Sequence, residues 1–159
     1  MDPLKILFVC AGNICRSPLA EGIFRHLAAA AGRDGEFAVD SAGTGGWHQG
    51  EPPDRRSVAV AGFHGVDISA QRARRIVAAD FGRFDIILAM DRANLDDLLA
   101  TAPRGAGAEI HLFTAFAGAP DEDIPDPYYR TRQDFEMVYA MLFAGCSAIL
   151  ERVVKDRAS

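Results

Sequence analysis

Strands and helices alternate along this chain, and that alternation predicts an α/β fold. The expected architecture is one domain over residues 1–159, three layers deep, with a four-stranded parallel sheet between helices. Three observations carry the expectation. Short apolar runs at Lys5–Val9 and Phe84–Met90 lack the polar alternation of a half-exposed strand, so they read as strands buried on both faces. Segments of helical spacing follow such runs, opened by capping residues. Strands separated by helices pair in parallel through crossovers, and the crossovers lay helices over both sheet faces. A length of 159 residues suits one core and is short for two.

Taken in order, Lys5 to Val9 is the first strand and leads into Cys10. Ser17 is suited to cap the next helix and Pro18 to its first position. Leu19, Ile23, Leu27 and Ala30 then recur on one face until Gly32. Glu36 to Asp40 reads as the second strand, and Gly45, Gly46, Gly50, Pro52 and Pro53 mark a loop after it. Asp54 can cap a helix that runs to about Phe63. Arg72 to Asp80 is expected to be helical in pieces. Phe84–Met90 is the third strand, and Asp91 opens a helix through Leu95, Leu98 and Leu99. Ile110 to Phe113 is the fourth strand. Pro120, Pro125 and Pro127 keep Ala117–Tyr129 out of regular structure, so it reads as an ordered loop. The last helix starts near Thr131, with the stripe Phe135, Val138, Leu142, Cys146, Ile149 and Val153.

Composition removes several function classes. The formal net charge of −5 argues against a general nucleic-acid face. No apolar run approaches the roughly 20 residues a bilayer span needs, and no signal-peptide pattern opens the chain, so no membrane partner is expected. Cys10, Cys15 and Cys146 are an odd number without Cys-x2-Cys spacing, which suggests neither a disulfide framework nor a zinc site. His26, His48, His64 and His111 have no metal-ligand spacing and read as surface or packing residues. No metal or cofactor is therefore expected. A free Cys10 suits a reducing cytoplasm.

The chemistry concentrates in Cys10-Ala11-Gly12-Asn13-Ile14-Cys15-Arg16-Ser17-Pro18. A thiol stands where a buried strand ends, a glycine-containing loop turns and a helix begins. Such a loop can gather several backbone N–H groups, and the helix N-terminus adds partial positive charge, so the point favours an anion. Thiolate is the nucleophilic form of cysteine, and such surroundings favour it. Arg16 supplies a planar fork that grips two oxygens of an oxyanion. The combination describes displacement at phosphorus. The plainer reading is a structural Cys with a solvated Arg. A candidate proton donor must come from elsewhere, and Asp121, Glu122, Asp123 and Asp126 are nearly equal on residue type alone. In a parallel sheet, the loops after Cys10, Asp40, Met90 and Phe113 share the edge where ligands bind.

The stretch from Val9 to Pro18 resembles the phosphate loop of the low-molecular-weight protein tyrosine phosphatases. The likeness continues through Asp40-Ser41-Ala42-Gly43-Thr44, Pro52-Pro53-Asp54, Phe84 to Asp91 and Asp126-Pro127-Tyr128-Tyr129, in family order over nearly the whole chain. The resemblance implies a flavodoxin-like sheet and a metal-independent, monomeric protein tyrosine phosphatase acting on phosphotyrosine-containing proteins. It implies that Cys10 is the nucleophile and forms a phosphocysteine. Arg16 and the loop Ala11, Gly12, Asn13, Ile14, Cys15 and Ser17 bind the phosphate, and Asp126 is the general acid. Asn13 and Ser17 match positions that shape the loop and hydrogen-bond the thiolate; turn former and helix cap are their plain roles. Gly12 is read as permitting backbone geometry that a side chain would hinder. Trp47, Tyr128 and Tyr129 match the aromatic rim, although a lone loop Trp is otherwise a packing anchor. Relatives acting on phosphoarginine carry Thr where this chain has Ile14, and an apolar residue suits a phenyl ring better. Family members can pair the positions of Cys10 and Cys15 in a reversible disulfide; a small packing Cys is the alternative. Vertebrate members place a His near the loop Asn, matching Ala70 here, so support is expected to rest on Ser41.

Two other function classes fit these residues less well. An arsenate reductase of related fold needs a further Cys pair for its disulfide relay, and only Cys146 lies beyond the loop. A non-catalytic phosphotyrosine-binding module would lack the nucleophile or the acid, and Cys10 and Asp126 are both present. A P-loop nucleotide site is excluded, since there is no Gly-x4-Gly-Lys.

Overall fold

The computed structural model describes residues 1–159. Strands Leu4–Cys10 (β1), Phe37–Gly43 (β2), Ile86–Ala89 (β3) and Glu109–Leu112 (β4) pair in parallel in the order β2-β1-β3-β4. Strand β1 is central because Ile6, Leu7, Phe8 and Val9 are all 0% exposed and can tolerate only buried neighbours on both faces. The pleat divides them. Ile6, Phe8 and Cys10 join Leu88 on one face, and Leu7 and Val9 join Ile87 and Ala89 on the other.

The first face carries helices Arg16–Ala30 (α1), Arg55–Phe63 (α2), Phe113–Phe116 (α5) and Arg132–Ala158 (α6). Phe8 packs between Phe24 and Phe113, at ring-centroid distances of 6.0 and 6.2 Å. The second face carries Asp80–Arg83 (α3) and Arg92–Thr101 (α4), which bury Phe81 and Leu98 beside Phe84. This is the three-layer, flavodoxin-like arrangement expected. The stripe along α6 is buried as read, with Leu142, Cys146 and Ile149 all 0% exposed. By length and composition α6 is also long and apolar enough to cross a bilayer, contrary to expectation. Here its stripe is engaged by the core shared with α1 and the sheet.

Asp54 and Asp91 cap the helices they were expected to open, and the last helix is capped at Thr131, near its expected start. Asp54 accepts from Arg56 N at 2.8 Å, Asp91 from Asn94 N at 2.7 Å, and Thr131 forms a reciprocal box with Asp134. Helix α1 differs: Cys15 is its N-cap and makes no side-chain cap bond, so Ser17 lies inside the helix and Pro18 is its third residue. The segment Arg72–Ala79 also differs. It is not helical in pieces; it runs beside the end of β2, with Gly43 N donating to Arg74 O at 2.8 Å and Ile76 N to Gly43 O at 2.9 Å. Helix begins only at Asp80. Tertiary pairing with a strand end overrides the high helix propensity of Ala and Arg there. The short α5 was not anticipated, because Phe113 had been read as the end of a strand.

Candidate active site

The carboxyl end of β1, the turn into α1 and the loops after β2 and α5 enclose a cleft of about 400 Å³. Its lining includes Cys10, Ala11, Gly12, Ile14, Cys15, Arg16, Trp47, His48, Asp126, Tyr128 and Tyr129. Cys10 lies near the floor, 3% exposed, where β1 gives out beside Gly43 of β2. A Cβ on Gly43 would stand 2.8 Å from Ala11 O and 2.9 Å from Gly45 O, so only glycine lets the loop fold back this closely.

The turn is made by Asn13, at φ 58°, and not by Gly12. Asn tolerates this left-handed backbone because its amide bonds locally. Asn13 Nδ2 donates to Ser17 Oγ at 2.8 Å and to Ser41 Oγ at 3.0 Å, while its Oδ1 accepts from Arg74 N at 3.0 Å. Gly12 gives close approach instead: a Cβ there would meet His48 Cδ2 at 3.0 Å, so a side chain would require that ring to shift. No backbone N–H from Ala11 through Ser17 donates to a protein acceptor. These amides, at the start of a 15-residue helix, are available to an anion.

Ser17 Oγ lies 3.0 Å from Cys10 Sγ. From it a chain of hydrogen bonds runs through Asn13 and Ser41 to Glu21, whose Oε1 accepts from Ser41 Oγ at 2.8 Å. Glu21 Oε2 pairs with Arg25 at 3.1 Å. Burial raises the Glu21 carboxyl above its usual range despite the Ser41 bond and the Arg25 charge. Glu21 also borders a second hollow of about 530 Å³, behind the loop, lined in part by Ala70 and Gln71. That hollow is the roomier of the two but holds no nucleophile.

Arg16 is 2% exposed and carries its charge inside the fold. Its Nη1 donates to Asp91 Oδ2 at 2.7 Å and to Ile124 O at 2.9 Å, and its Nη2 lies 3.6 Å from Asp126 Oδ2. Burial disfavours the cation, but the charges of Cys10, Asp91 and Asp126 outweigh it and hold the guanidinium pKa above its ordinary value. Nε and Nη2 have no hydrogen-bond partner, so one edge of the fork is free for two oxygens.

Of the four acidic candidates, only Asp126 lines the cleft. Asp121 pairs with Arg92 at 2.8 Å, Asp123 accepts from Arg92 N at 2.8 Å, and Glu122 is held by backbone bonds to Thr114. Asp126 is half exposed, and its Oδ1 accepts from Tyr128 N at 3.1 Å. The rim is aromatic. Trp47 lies across Gly45 and is 72% exposed, while Tyr128 and Tyr129 meet edge to face at 4.7 Å. Cys15 is 4% exposed; burial first, and then the charge of Asp54, push its thiol up to about 12. Cys146 is remote, in the core of α6. No group of three or more His, Cys, Asp or Glu is placed to hold a metal ion.

A family model described as low molecular weight phosphotyrosine protein phosphatase matches residues 5–159. The chain belongs to that family. It is 39% identical over 155 residues to the low molecular weight protein-tyrosine-phosphatase YfkJ of Bacillus subtilis, covering 97% of this chain and 98% of the relative. The solved structure of YfkJ superposes with a TM-score of 0.91 at 38% identity, over 98% of each chain. The Homo sapiens low molecular weight phosphotyrosine protein phosphatase is 42% identical over 150 residues, 93% of this chain and 94% of the relative. The crystal structure of a Drosophila arginine phosphatase matches with a TM-score of 0.87 at 35% identity, over 94% of this chain and 98% of that one. The chain is thus an enzyme of the protein-tyrosine-phosphatase class.

Several residues of this phosphatase's cleft were not singled out from sequence. His48 lines it, where surface or packing was expected, and its ring is tied to Glu51 at 2.8 Å. Asp91, expected as a helix opener at the ligand-binding edge of the sheet, also holds Arg16. Glu21 did leave a signal: Ser17, Glu21 and Arg25 recur every four residues, a polar line on one face of α1. Arg74 left none, since its backbone rather than its side chain contacts Asn13.

Proposed function

We propose that this phosphatase hydrolyses phosphotyrosine in proteins, and small aryl phosphates, through a phosphocysteine on Cys10. The observation that carries the reading is one cleft holding a thiol, an uncommitted guanidinium edge, a run of free amides and a half-exposed carboxyl. The Cys10 thiolate attacks phosphorus as the aryl P–O bond breaks, and the Asp126 carboxyl gives its proton to the departing phenolate oxygen. Arg16 and the amides of Ala11 to Ser17 bind the non-bridging oxygens and hold them through the transition state. Water then attacks the phosphocysteine, Asp126 takes its proton, the S–P bond breaks and phosphate leaves. Ser17, Asn13 and Ser41 hold the loop and orient the sulfur. Trp47, Tyr128 and Tyr129 flank the substrate ring.

No step draws on a metal or cofactor, and the enzyme acts as a monomer with no nucleic acid or membrane partner. A reducing compartment such as the cytoplasm keeps Cys10 free. The second reading is a phosphoarginine substrate, the activity named for the Drosophila neighbour. Fold alone does not separate the two, but Ile14 lines the cleft and offers apolar surface to a phenyl ring.

The test is hydrolysis of an aryl phosphate, a phosphotyrosine peptide, a phosphoserine peptide and phosphoarginine, with chelator and reductant present. The expected outcome is turnover of the two aryl substrates alone, lost in Cys10→Ser with oxyanion binding retained. Asp126→Ala is expected to slow poor leaving groups by about 100-fold or more and good ones far less. Equal loss across leaving groups counts against the acid role, and preferential phosphoarginine turnover moves the assignment to that substrate.

A further inference from the structure

Arg56 lines a groove next to the cleft and links it to Tyr128 of the cleft rim. On the cleft side its guanidinium lies 5.7 Å from the centre of the Tyr128 ring, and on the other side 4.5 Å from that of Phe135. The side chain is fixed there by Asp54 Oδ2 at 2.9 Å and Tyr128 O at 2.8 Å. The two rings therefore stand at most about 10 Å apart, a span that extended chain covers in about three residues. The groove beyond, about 300 Å³, lies between α2 and the start of α6 and is lined by Ala59, Val60, Phe63, Phe135, Arg132 and Glu136 besides Arg56.

Two features of this groove have no partner within the chain. Phe63 is 78% exposed, with an edge contact to His64 as its ring's neighbour. Arg132 is exposed and forms no ion pair, and the same holds for Arg55 and Arg130 nearby in sequence. Of the neighbouring acids, Asp54 pairs with Arg56, Glu136 lies 3.2 Å from His64 Nε2, and Asp134 accepts from Thr131 while its charge faces Arg130. A chain of net charge −5 thus presents exposed guanidiniums without a direct ion-pair partner beside its active-site rim, Arg132 foremost. Apolar surface flanked by free guanidinium fits an acidic, apolar peptide segment.

We propose that this groove receives the segment flanking the phosphotyrosine of a protein substrate. An apolar side chain about three residues from the phosphotyrosine packs on Phe63, Ala59 and Val60. An adjacent Asp or Glu pairs with Arg132. The assignment rests on the phosphatase reading above and adds sequence preference to it.

The test compares kcat/KM for phosphotyrosine peptides and for p-nitrophenyl phosphate. One peptide carries Leu three residues and Glu four residues from the phosphotyrosine on both sides; its counterpart carries Ala and Lys there. The wild-type enzyme is expected to favour the Leu/Glu peptide by about tenfold, chiefly through KM, with the preference shrinking at about 0.5 M salt. In Arg132→Glu the preference disappears, and in Phe63→Ser it falls by about threefold, each read as a ratio to the aryl phosphate rate. An acidic residue suits the first turn of a helix and Phe63 is exposed, so both variants are compatible with folding. Equal kcat/KM for the two peptides, or a preference unchanged in both variants, overturns the groove while p-nitrophenyl phosphate turnover leaves the phosphatase reading standing. Failure of the wild type to hydrolyse p-nitrophenyl phosphate overturns that reading instead.

Discussion

Cys15 shares a cleft with Cys10 but sits in surroundings that keep it neutral. With its thiol pushed up to about 12, it does not compete for substrate near pH 7. The same shift governs a disulfide between them. Once peroxide has taken Cys10 to a sulfenic acid, the Cys15 thiolate must attack that sulfur and expel hydroxide. The thiolate fraction grows about tenfold per pH unit below the pKa, so disulfide formation is expected to be about tenfold faster at pH 8 than at pH 7, measured by thiol trapping. A flat pH response, or reversible inactivation undiminished in Cys15→Ser, sinks the protective role. Glu21 makes a prediction of its own. Burial raises its carboxyl, so the fold holds the proton more tightly than the unfolded chain does. That contribution to stability is present in full below the unfolded pKa of about 4.3 and is lost as pH rises through the folded value. Glu21→Gln removes it, so the melting temperature of the variant is expected to gain on the wild type between pH 4 and 7. A gap that does not move with pH refutes the argument.

At the scale of elements, the segment Arg72–Ala79 decides how firmly the loop from Ala11 to Cys15 is held. Its backbone reaches Asn13 through Arg74 N and the end of β2 through Arg74 O. Its anchor is Asp80, with a side chain 0% exposed, which takes Arg74 at 3.0 Å, also Arg83, and Val77 N at 2.8 Å. Burial opposes the Asp80 charge, but these partners outweigh it and hold the carboxyl below its usual range. Asp80→Ala strands two guanidiniums and frees the segment. The expected cost is about 2 kcal/mol, discounted because both arginines are partly exposed. Since the segment grips Asn13, kcat is expected to fall by about tenfold together with stability. Denaturant melts paired with steady-state kinetics decide it: loss of stability with unaltered kcat would mean the segment supports the fold and not the loop.

For the molecule as a whole, the sheet edge gathers the chemistry and the layer behind it supplies the stability. Helix α6 shows the division. Leu142 is 0% exposed in the larger core cluster, and it lines none of the cleft. Leu142→Ala is expected to cost about 3 kcal/mol through the cavity it leaves, while kcat at temperatures below the shifted melting point changes by less than about twofold. A loss of kcat comparable to that of a loop variant would show that α6 packing reaches the nucleophile. The two core clusters, one on each sheet face, make the molecule symmetric in layering but not in size, since the cluster carrying α1 and α6 is much the larger.

Local chemistry was sufficient for much of this. The unbroken Ile6-Leu7-Phe8-Val9 could only be a buried strand, Asp54 and Asp91 capped the helices that follow them, and the Cys10-to-Ser17 stretch marked a strand-to-helix loop suited to an anion by its residue types. Such signals act over a few residues, and sequence exposes them directly. What the tertiary structure alone decided spans far more chain. The order β2-β1-β3-β4 brings Asp126 to Arg16, and Arg74 N to Asn13. The same packing set His48 against Gly12 and brought Arg56 to both Tyr128 and Phe135. The physical reason is that these contacts depend on which strands pair and how closely layers approach, and side-chain propensity carries no information about either.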